Sequence, residues 1–295
     1  MKVAFLGLGD IGALMAAHLA RDPFDLVVWN RTASKAEAFV REHKARVAAT
    51  PAEAVKNADV VITCLPSSIE VEAILHGDNG MLDALRKGAV LVDCTSGDPP
   101  TSRSIAAELG GRGVDFIDAP VSGGTVAAKS GSLTVMWGGE ALVFERARLA
   151  IEAFGKKIVH AGPVGSGDAL KAVNNALLAV HILSTAEGLA VLVKAGVDPK
   201  VALEVINASS GRSNTSENLI PQRVLTRAFP RTFRLALLEK DIGIAAVLAD
   251  DLGARTPLIS LAAARFHQAR EKLGEAADHV EAVKMIEEEN GIEIR

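Results

Sequence analysis

Val3-Ala4-Phe5-Leu6-Gly7-Leu8-Gly9-Asp10-Ile11-Gly12 is the stretch on which the reading of this chain turns. Val3–Leu6 is a short apolar run with strand character, and a helical pattern, Ile11–Ala20, follows it at once. Gly7-x-Gly9-x-x-Gly12 lies between the two. Placed after a strand and opening a helix, this spacing is a dinucleotide-binding fingerprint rather than a ligand-free glycine turn. Gly7 permits the tight turn, Gly9 lets the backbone approach a pyrophosphate, and Gly12 allows the helix to pack closely on the sheet. The N–H groups of Leu8, Asp10 and Ile11, with the helix dipole, then favour the phosphate charge.

Outward from this loop the first half keeps alternating. Leu26–Trp29, Val60–Leu65, Val90–Asp93 and Val114–Ile117 read as strands, and Ser34–Glu42, Glu70–Leu75 and Thr101–Leu109 as helices. That alternation predicts a doubly wound parallel sheet covered on both faces, with right-handed crossovers. Leu133–Trp137 and Lys157–Val159 are two more strand candidates around a helix near Ala141–Phe154. After His160 the texture changes: a glycine-rich loop, Ala161–Gly167, enters a helix, and no strand-like alternation follows. Asp198-Pro199 and Thr256-Pro257 each pair an N-cap with proline at the first helical position, and Gly253 and Gly274 stand where helix ends are wanted. The expected fold class is α/β, a Rossmann-type domain over residues 1–162 joined to an all-helical domain over 163–295.

Composition narrows the function. The 295 residues are 49% hydrophobic and 23% charged, ample for a sizeable core and unlike a disordered chain. A net charge of -4 with 4% aromatics argues against a nucleic-acid partner. Two cysteines, Cys64 and Cys94, build neither a disulfide framework nor a four-thiolate zinc site; a reducing compartment and no metal are expected. There is no tyrosine, which excludes a Tyr-Lys acid–base pair. No secretory leader is visible, and Ala176–Val193, interrupted by His181, Ser184 and Glu187, reads as a core or interface helix rather than a membrane span. A cytoplasmic protein with no membrane partner is expected.

The end of the second strand distinguishes the nicotinamide cofactors. NAD enzymes place a carboxylate there for the ribose hydroxyls, whereas this chain has Asn30-Arg31-Thr32. Arg31 suits a 2′-phosphate, with Asn30 and Thr32 as neutral donors, so NADP(H) is preferred and NAD(H) is the alternative. Leu65-Pro66 and Thr95-Ser96 end two later strands on the carboxyl edge, where such sheets bind ligands. Cys64 and Cys94 read as small core residues with no chemistry.

Lys171, Asn174 and Asn175 share one face at the start of an otherwise apolar helix. A lysine there either snorkels to solvent or serves a site, and the two asparagines beside it favour the site. Asp118-Ala119-Pro120-Val121-Ser122-Gly123-Gly124 follows the strand ending near Ile117. Ser122 with the Gly123 and Gly124 amides makes an anion cradle, although the segment alone is also an ordinary turn.

Four segments now stand in one order: Gly-Leu-Gly-Asp-Ile-Gly, Asp-Ala-Pro-Val-Ser-Gly-Gly, Gly-Ser-Gly-x-x-x-Lys-x-x-Asn-Asn and Lys240-Asp241. Over essentially its whole length the chain resembles the β-hydroxyacid dehydrogenases, of which 3-hydroxyisobutyrate dehydrogenase is the best-known kind. The resemblance implies a Rossmann domain, a helical domain and a cofactor-bridged cleft. It implies Lys171 as the catalytic residue, Asn175 as its substrate-orienting neighbour, and Ser122 with Gly123 as holders of the substrate carboxylate. Lys240 would approach the nicotinamide end of the cofactor, and Phe233 and Asp241 match cleft-lining positions of aldehyde-reducing relatives. Ser209–Arg212 resembles a stretch of the 3-hydroxyisobutyrate enzymes. Two departures stand out: Thr95-Ser96 reverses the usual Ser-Thr, and Glu70 replaces an asparagine.

Oxidising a β-hydroxyl removes a hydride and a proton, so one group must take or relay that proton. A lysine amine starts near pKa ~10.4 and burial disfavours its charged form, which suits it to the task. Other readings fit less well. A decarboxylating sugar-acid dehydrogenase has a larger helical domain and His-Asn in place of Asn174-Asn175; an imine reductase replaces the lysine; a 2-hydroxyacid dehydrogenase needs a His–carboxylate–Arg set. The remaining alternatives are an NADPH-dependent glyoxylate or succinic semialdehyde reductase, favoured by Asn30-Arg31-Thr32, and a non-catalytic NADP(H)-binding sensor. The expected substrate is a short carboxylate of three to five carbons. The apolar Ala176–Val193 helix suggests a homodimer or homotetramer.

Overall fold

Lys2–Leu6 (β1), Val60–Thr63 (β4) and Val90–Asp93 (β5) are buried almost throughout rather than on alternate residues, so their sheet must be covered on both faces. In the computed structural model, which describes all residues Met1–Arg295, it is. Between and beyond these strands come Gly12–Leu19 (α1), Asp25–Trp29 (β2), Ala33–Glu42 (α2), Arg46–Val47 (β3), Pro51–Val55 (α3), Ser68–His76 (α4), Pro99–Gly110 (α5) and Asp115–Asp118 (β6). The six strands run parallel in the order β3-β2-β1-β4-β5-β6. Successive side chains point to opposite faces. Val3, Phe5, Val60, Ile62, Val90 and Val92 therefore join one core, with α1 and α2, while Ala4, Leu6, Val61 and Leu91 join the other, with α3, α4 and α5.

The sheet continues with Val121–Ser122 (β7), Gly124–Lys129 (α6), Leu133–Gly138 (β8), Ala141–Glu152 (α7) and Gly155–Gly162 (β9). β8 pairs antiparallel to β6 and β7 and parallel to β9. The two-residue strands β3 and β7 and the short α3 and α6 are too brief for hydrophobic periodicity to reveal. Elements that carry a full apolar pattern lie where the sequence places them, to within a few residues.

From Ser166–Lys194 (α8) onward there is no further strand, only a single antiparallel bridge, Arg234 to Asp278. The chain divides into two compact units, 1–171 and 172–295, with the division inside α8. The second unit adds Pro199–Asn207 (α9), a π-helical segment Thr215–Val224, Leu235–Asp251 (α10), Pro257–Leu273 (α11), a 3₁₀ turn His279–Ala282 and Val283–Asn290 (α12). Asp198 caps α9 through the N–H groups of Lys200 and Val201, as its place before Pro199 predicts. Thr256 stands before α11 but makes no side-chain cap. The core of this unit packs the alanine-rich face of α8, including Ala172, Ala176, Ala179 and Ala186, with Leu235, Leu238 and Phe266. The small residues let neighbouring helices approach α8 closely. By length and hydropathy alone α8 could cross a membrane, but its inner face is this core. Val173, Leu177 and Val191 leave its outer face apolar and exposed; His181 lies there too, not in the core.

Candidate active site

The glycine loop is built by contact rather than by propensity. Gly7 has φ +106°, and a side chain there would come within 2.3 Å of the Cys64 carbonyl oxygen; one on Gly12 would stand 2.0 Å from the Gly7 carbonyl. Gly9 differs: nothing lies within 4 Å of the space a side chain would fill. That open face beside the start of α1 fits a pyrophosphate. The loop is held from β2. Gly7 donates its N–H to Trp29 at 2.9 Å, and Leu8 donates to Asn30 Oδ1 at 2.9 Å. Asn30 Nδ2 in turn donates to the Thr32 carbonyl at 3.0 Å. Asn30 thus clamps the loop, which its expected role as a donor to cofactor did not anticipate, while Arg31 and Thr32 stand exposed beyond it.

Helix starts fall into two groups in this unit. Thr50, Ser67 and Asp98 cap α3, α4 and α5 with their side chains. α1, α2, α6 and α7 start without such a cap. Three of these uncapped helices begin at the loops singled out for ligand: Gly9–Gly12, Arg31–Thr32 and Ser122–Gly124. Uncapped N–H groups at a helix start suit an anion. At the third loop Gly123 (φ +132°) and Gly124 (φ +64°) adopt conformations that favour glycine; both are exposed, beside half-buried Ser122.

Strand ends at the carboxyl edge are cross-tied. Thr95 Oγ1 accepts the Leu65 N–H at 3.1 Å, so the Thr95 hydroxyl braces the Leu65-Pro66 segment while Ser96 is half-buried beside it. Asp93 Oδ1 accepts the Thr63 hydroxyl at 2.7 Å and the Thr95 N–H at 3.0 Å. Burial pushes the Asp93 carboxyl up to about 6 against the pull of those hydrogen bonds. Burial also pushes the Cys64 thiol up to about 12 and Cys94 well above its usual value, so neither supplies a thiolate at neutral pH. Ser67 Oγ donates to Glu70 Oε2 at 2.5 Å, so Glu70 braces the start of α4.

Lys171 and Asn175 stand one turn apart on α8, and both are buried, at 9% and 3% exposed. Asn174, exposed, donates to Asn175 Oδ1 at 3.1 Å, and Asn175 donates to Asp241 Oδ2 at 2.6 Å. Lys240 Nζ pairs with Asp241 Oδ1 at 2.8 Å. Four residues expected at the site from two separate segments therefore form one chain, Asn174–Asn175–Asp241–Lys240. It presents an oriented amide and an ammonium, a set suited to holding a substrate oxygen. Phe233 is half-buried just before α10, its N–H bound to Asp278 and its carbonyl to the His279 N–H.

Two side chains beside the expected site were not singled out from sequence as functional: Asp118 and Asp168. Asp118 Oδ1 accepts the Gly165 N–H at 2.7 Å and Oδ2 the Asp168 N–H at 3.0 Å, fixing the start of α8 to β6. The sequence signals were, for Asp118, its place at the head of the Asp118–Gly124 segment and, for Asp168, an acidic residue in the first turn of an apolar helix.

Comparison with known proteins bears on the fold and the family. Residues 2–162 match the family described as the NAD binding domain of 6-phosphogluconate dehydrogenase. Residues 165–286 match the one described as NAD-binding of NADP-dependent 3-hydroxyisobutyrate dehydrogenase. The chain is 37% identical to mitochondrial 3-hydroxyisobutyrate dehydrogenase of Mus musculus over 82% of its own length and 74% of that protein's. It is 38% identical to an NAD-dependent L-serine dehydrogenase of Pseudomonas aeruginosa over 88% and 89%. Among solved structures, Mycobacterium tuberculosis 3-hydroxyisobutyrate dehydrogenase with L-serine superposes with a TM-score of 0.88 at 29% identity, covering 97% of this chain and 98% of that one.

Proposed function

The chain belongs to the β-hydroxyacid dehydrogenases, NAD(P)-dependent oxidoreductases, and from that premise we propose that it interconverts a short β-hydroxyacid of the 3-hydroxyisobutyrate kind and its semialdehyde, with Lys171 as acid–base group and NADP(H) as preferred cofactor. The observation that carries this reading is buried Lys171 one helical turn from Asn175, whose amide is held by Asp241, itself paired with Lys240.

When bound, the nicotinamide cofactor supplies the hydride exchange at the substrate carbon. The Gly9 face and the start of α1 hold its pyrophosphate, and Arg31 and Thr32 take the 2′-phosphate. Ser122 with the Gly123 and Gly124 amides holds the substrate carboxylate. Lys171 takes the hydroxyl proton in oxidation and returns it in reduction, while Asn175 donates a hydrogen bond to the same oxygen. Asp241 and Lys240 keep the Asn175 amide turned so that this donor faces the substrate. Orientation is most of what these residues contribute.

Two observations keep a second substrate and a second cofactor in the test. The L-serine dehydrogenase relative is described as NAD-dependent, and a solved relative holds L-serine. The Asn30-Arg31-Thr32 segment favours an NADPH-dependent glyoxylate or succinic semialdehyde reductase instead. A steady-state panel of 3-hydroxyisobutyrate, 3-hydroxypropionate, L-serine, glyoxylate and succinic semialdehyde with both cofactors separates these. The highest kcat/KM is expected for 3-hydroxyisobutyrate with NADP. Turnover of carboxylate-free alcohols as fast as the acids refutes the anion cradle, and no turnover of any of them leaves the protein a sensor. The exposed apolar face of α8 supports a homodimer or homotetramer, which light scattering on the eluting species checks.

A further inference from the structure

The start of α8 is capped from a distance. In an ordinary capping box the residue before the helix and the third helical residue satisfy each other's N–H groups. Gly165 and Asp168 occupy those two places, and both give their N–H groups to the remote carboxylate of Asp118 at the end of β6. That leaves the Asp168 carboxylate free of its usual capping task. It reaches out instead, accepting the Gly97 N–H at 3.2 Å and the Ser102 hydroxyl at 2.6 Å. The first turn of α8 is thereby tied to β6 by one carboxylate and to the segment before α5 and its first turns by the other.

The socket is built to admit these groups. A side chain on Gly138 would come within 2.6 Å of Asp118 Oδ1, one on Gly167 within 2.8 Å of Asp118 Oδ2, and one on Gly97 within 3.4 Å of Asp168 Oδ2. Asp118 and Asp168 are 0% and 1% exposed, and every donor named above is a neutral N–H or O–H. Burial raises both carboxyls above their ordinary range, Asp168 the more, because Asp118 and Asp93 stand close to it. Burying two carboxylates without a cation is costly, and the serine and threonine caps of α4 and α3 do the same local job without that cost. What the costly arrangement adds is a long-range tie on a single helical turn, and Lys171 follows Asp168 by three residues on that turn.

We propose that Asp118 and Asp168 are positioning residues for the reaction: together they hold the first turn of α8 so that the Lys171 amine meets the substrate oxygen. This rests on the reading of Lys171 as the acid–base group. A displacement of about 1 Å at a reacting group can cost ~10²-fold in rate, so the tie matters out of proportion to its size.

The two carboxylates differ in what an amide can replace. Both oxygens of Asp118 accept N–H groups, so Asp118→Asn turns an NH₂ against a backbone donor whichever way it sits. Asp168 faces one N–H and one hydroxyl, and the hydroxyl can reverse to accept from an amide. The expected results are a kcat lowered ~10–10²-fold in Asp118→Asn and in Asp168→Ala, with recovery of most of that loss in Asp168→Asn. Cofactor affinity, read by NADPH fluorescence, and substrate KM should stay within about threefold of the parent, since the tie acts on the reacting group. Turnover is measured well below each variant's Tm, so a role in stability alone leaves kcat unmoved. If Asp118→Asn does not fold, Ser102→Ala removes one donor from Asp168 and should lower kcat about three- to tenfold with unchanged cofactor affinity. Parent-like kcat in the folded variant, or equal losses in Asp168→Ala and Asp168→Asn, overturns the proposal. Full turnover in Lys171→Ala overturns the underlying reading instead; an inactive Lys171→Ala beside a fully active Asp118→Asn removes only the positioning role.

Discussion

Two groups of buried carboxylates in this molecule titrate in opposite directions. At the carboxyl edge of the sheet, Asp93, Asp118 and Asp168 are met only by neutral N–H and O–H donors and by one another, and all three are raised. In the helical unit, Asp278 is equally buried, but Arg223 lies 3.4 Å and His279 3.1 Å from its Oδ1. Burial by itself would raise Asp278 too; the His279 hydrogen bond and charge, with the Thr232 and Phe233 N–H groups, outweigh it and hold the carboxyl well below the usual range. Burial is thus common to both, and the partner decides the sign. The cation-paired group closes a knot of chain, joining Thr232, Phe233 and the 3₁₀ turn, and looks after the fold. The cation-free group spends stability next to the residue proposed to move a proton.

On that division of labour, the largest effects fall one on each side of it. Lys171→Ala should lower kcat by ~10²–10⁴-fold with cofactor binding and thermal stability little changed. Near-normal turnover in that variant would place the chemistry elsewhere. Asp278→Ala should do the reverse, destabilising by about 3–5 kcal/mol because Arg223 loses its counter-charge and the Thr232 and Phe233 N–H groups lose their acceptor. Urea unfolding monitored by circular dichroism measures it, and a loss under about 1 kcal/mol would erase the contrast.

A smaller effect sharpens the sign. Asp93 is raised to about 6 in the folded chain and lies near 3.9 unfolded, so its contribution is most favourable below pH ~4 and is lost as pH rises through about 6. Asp93→Asn keeps an oxygen for Thr63 and Thr95 and should stabilise the protein at pH 8 by on the order of 1–3 kcal/mol, with little change at pH 4. Asp278→Asn should run the other way, destabilising at pH 7 and converging on the parent only as pH falls below about 4, where the ordinary carboxylate pKa lies. Unfolding midpoints of both variants across pH 3–8 decide between this pattern and a uniform offset.

The smallest expected change is at Arg31. Arg31→Ala should narrow the preference for NADP(H) over NAD(H) about tenfold in kcat/KM, roughly 1.4 kcal/mol. Asn30→Ala, by contrast, should weaken both cofactors together, because Asn30 holds the glycine loop. An unchanged preference in Arg31→Ala would leave Arg31 a solvated turn residue.

Much of this was legible in the amino-acid order because it is local. Gly7, Gly9 and Gly12 are read from backbone requirements within six residues, and the apolar runs of β1, β4 and β5 declare a sheet covered on both faces. The helical character after residue 165 and the Asp198-Pro199 cap are local as well. Lys171, Asn174 and Asn175 stand out because polar groups on one face of an apolar helix violate its pattern. Their connection to Lys240 and Asp241 came only from the resemblance to a family, and the structure brings Asn175 and Asp241 together across 66 positions.

What tertiary structure decided is everything that depends on which distant group fills a vacancy. No periodicity says that Asn30 spends its amide on Leu8 and Thr32, or that β9 pairs parallel to β8 while β6 and β7 pair antiparallel to it. An aspartate reads the same in sequence whether its partner will be Arg223 and His279 or two backbone N–H groups of a helix 47 and 50 residues away. Charge, hydropathy and propensity are properties of a residue and its neighbours. The pKa and the role of a buried carboxylate are properties of the donors packed around it, and those are set only when the chain has closed on itself.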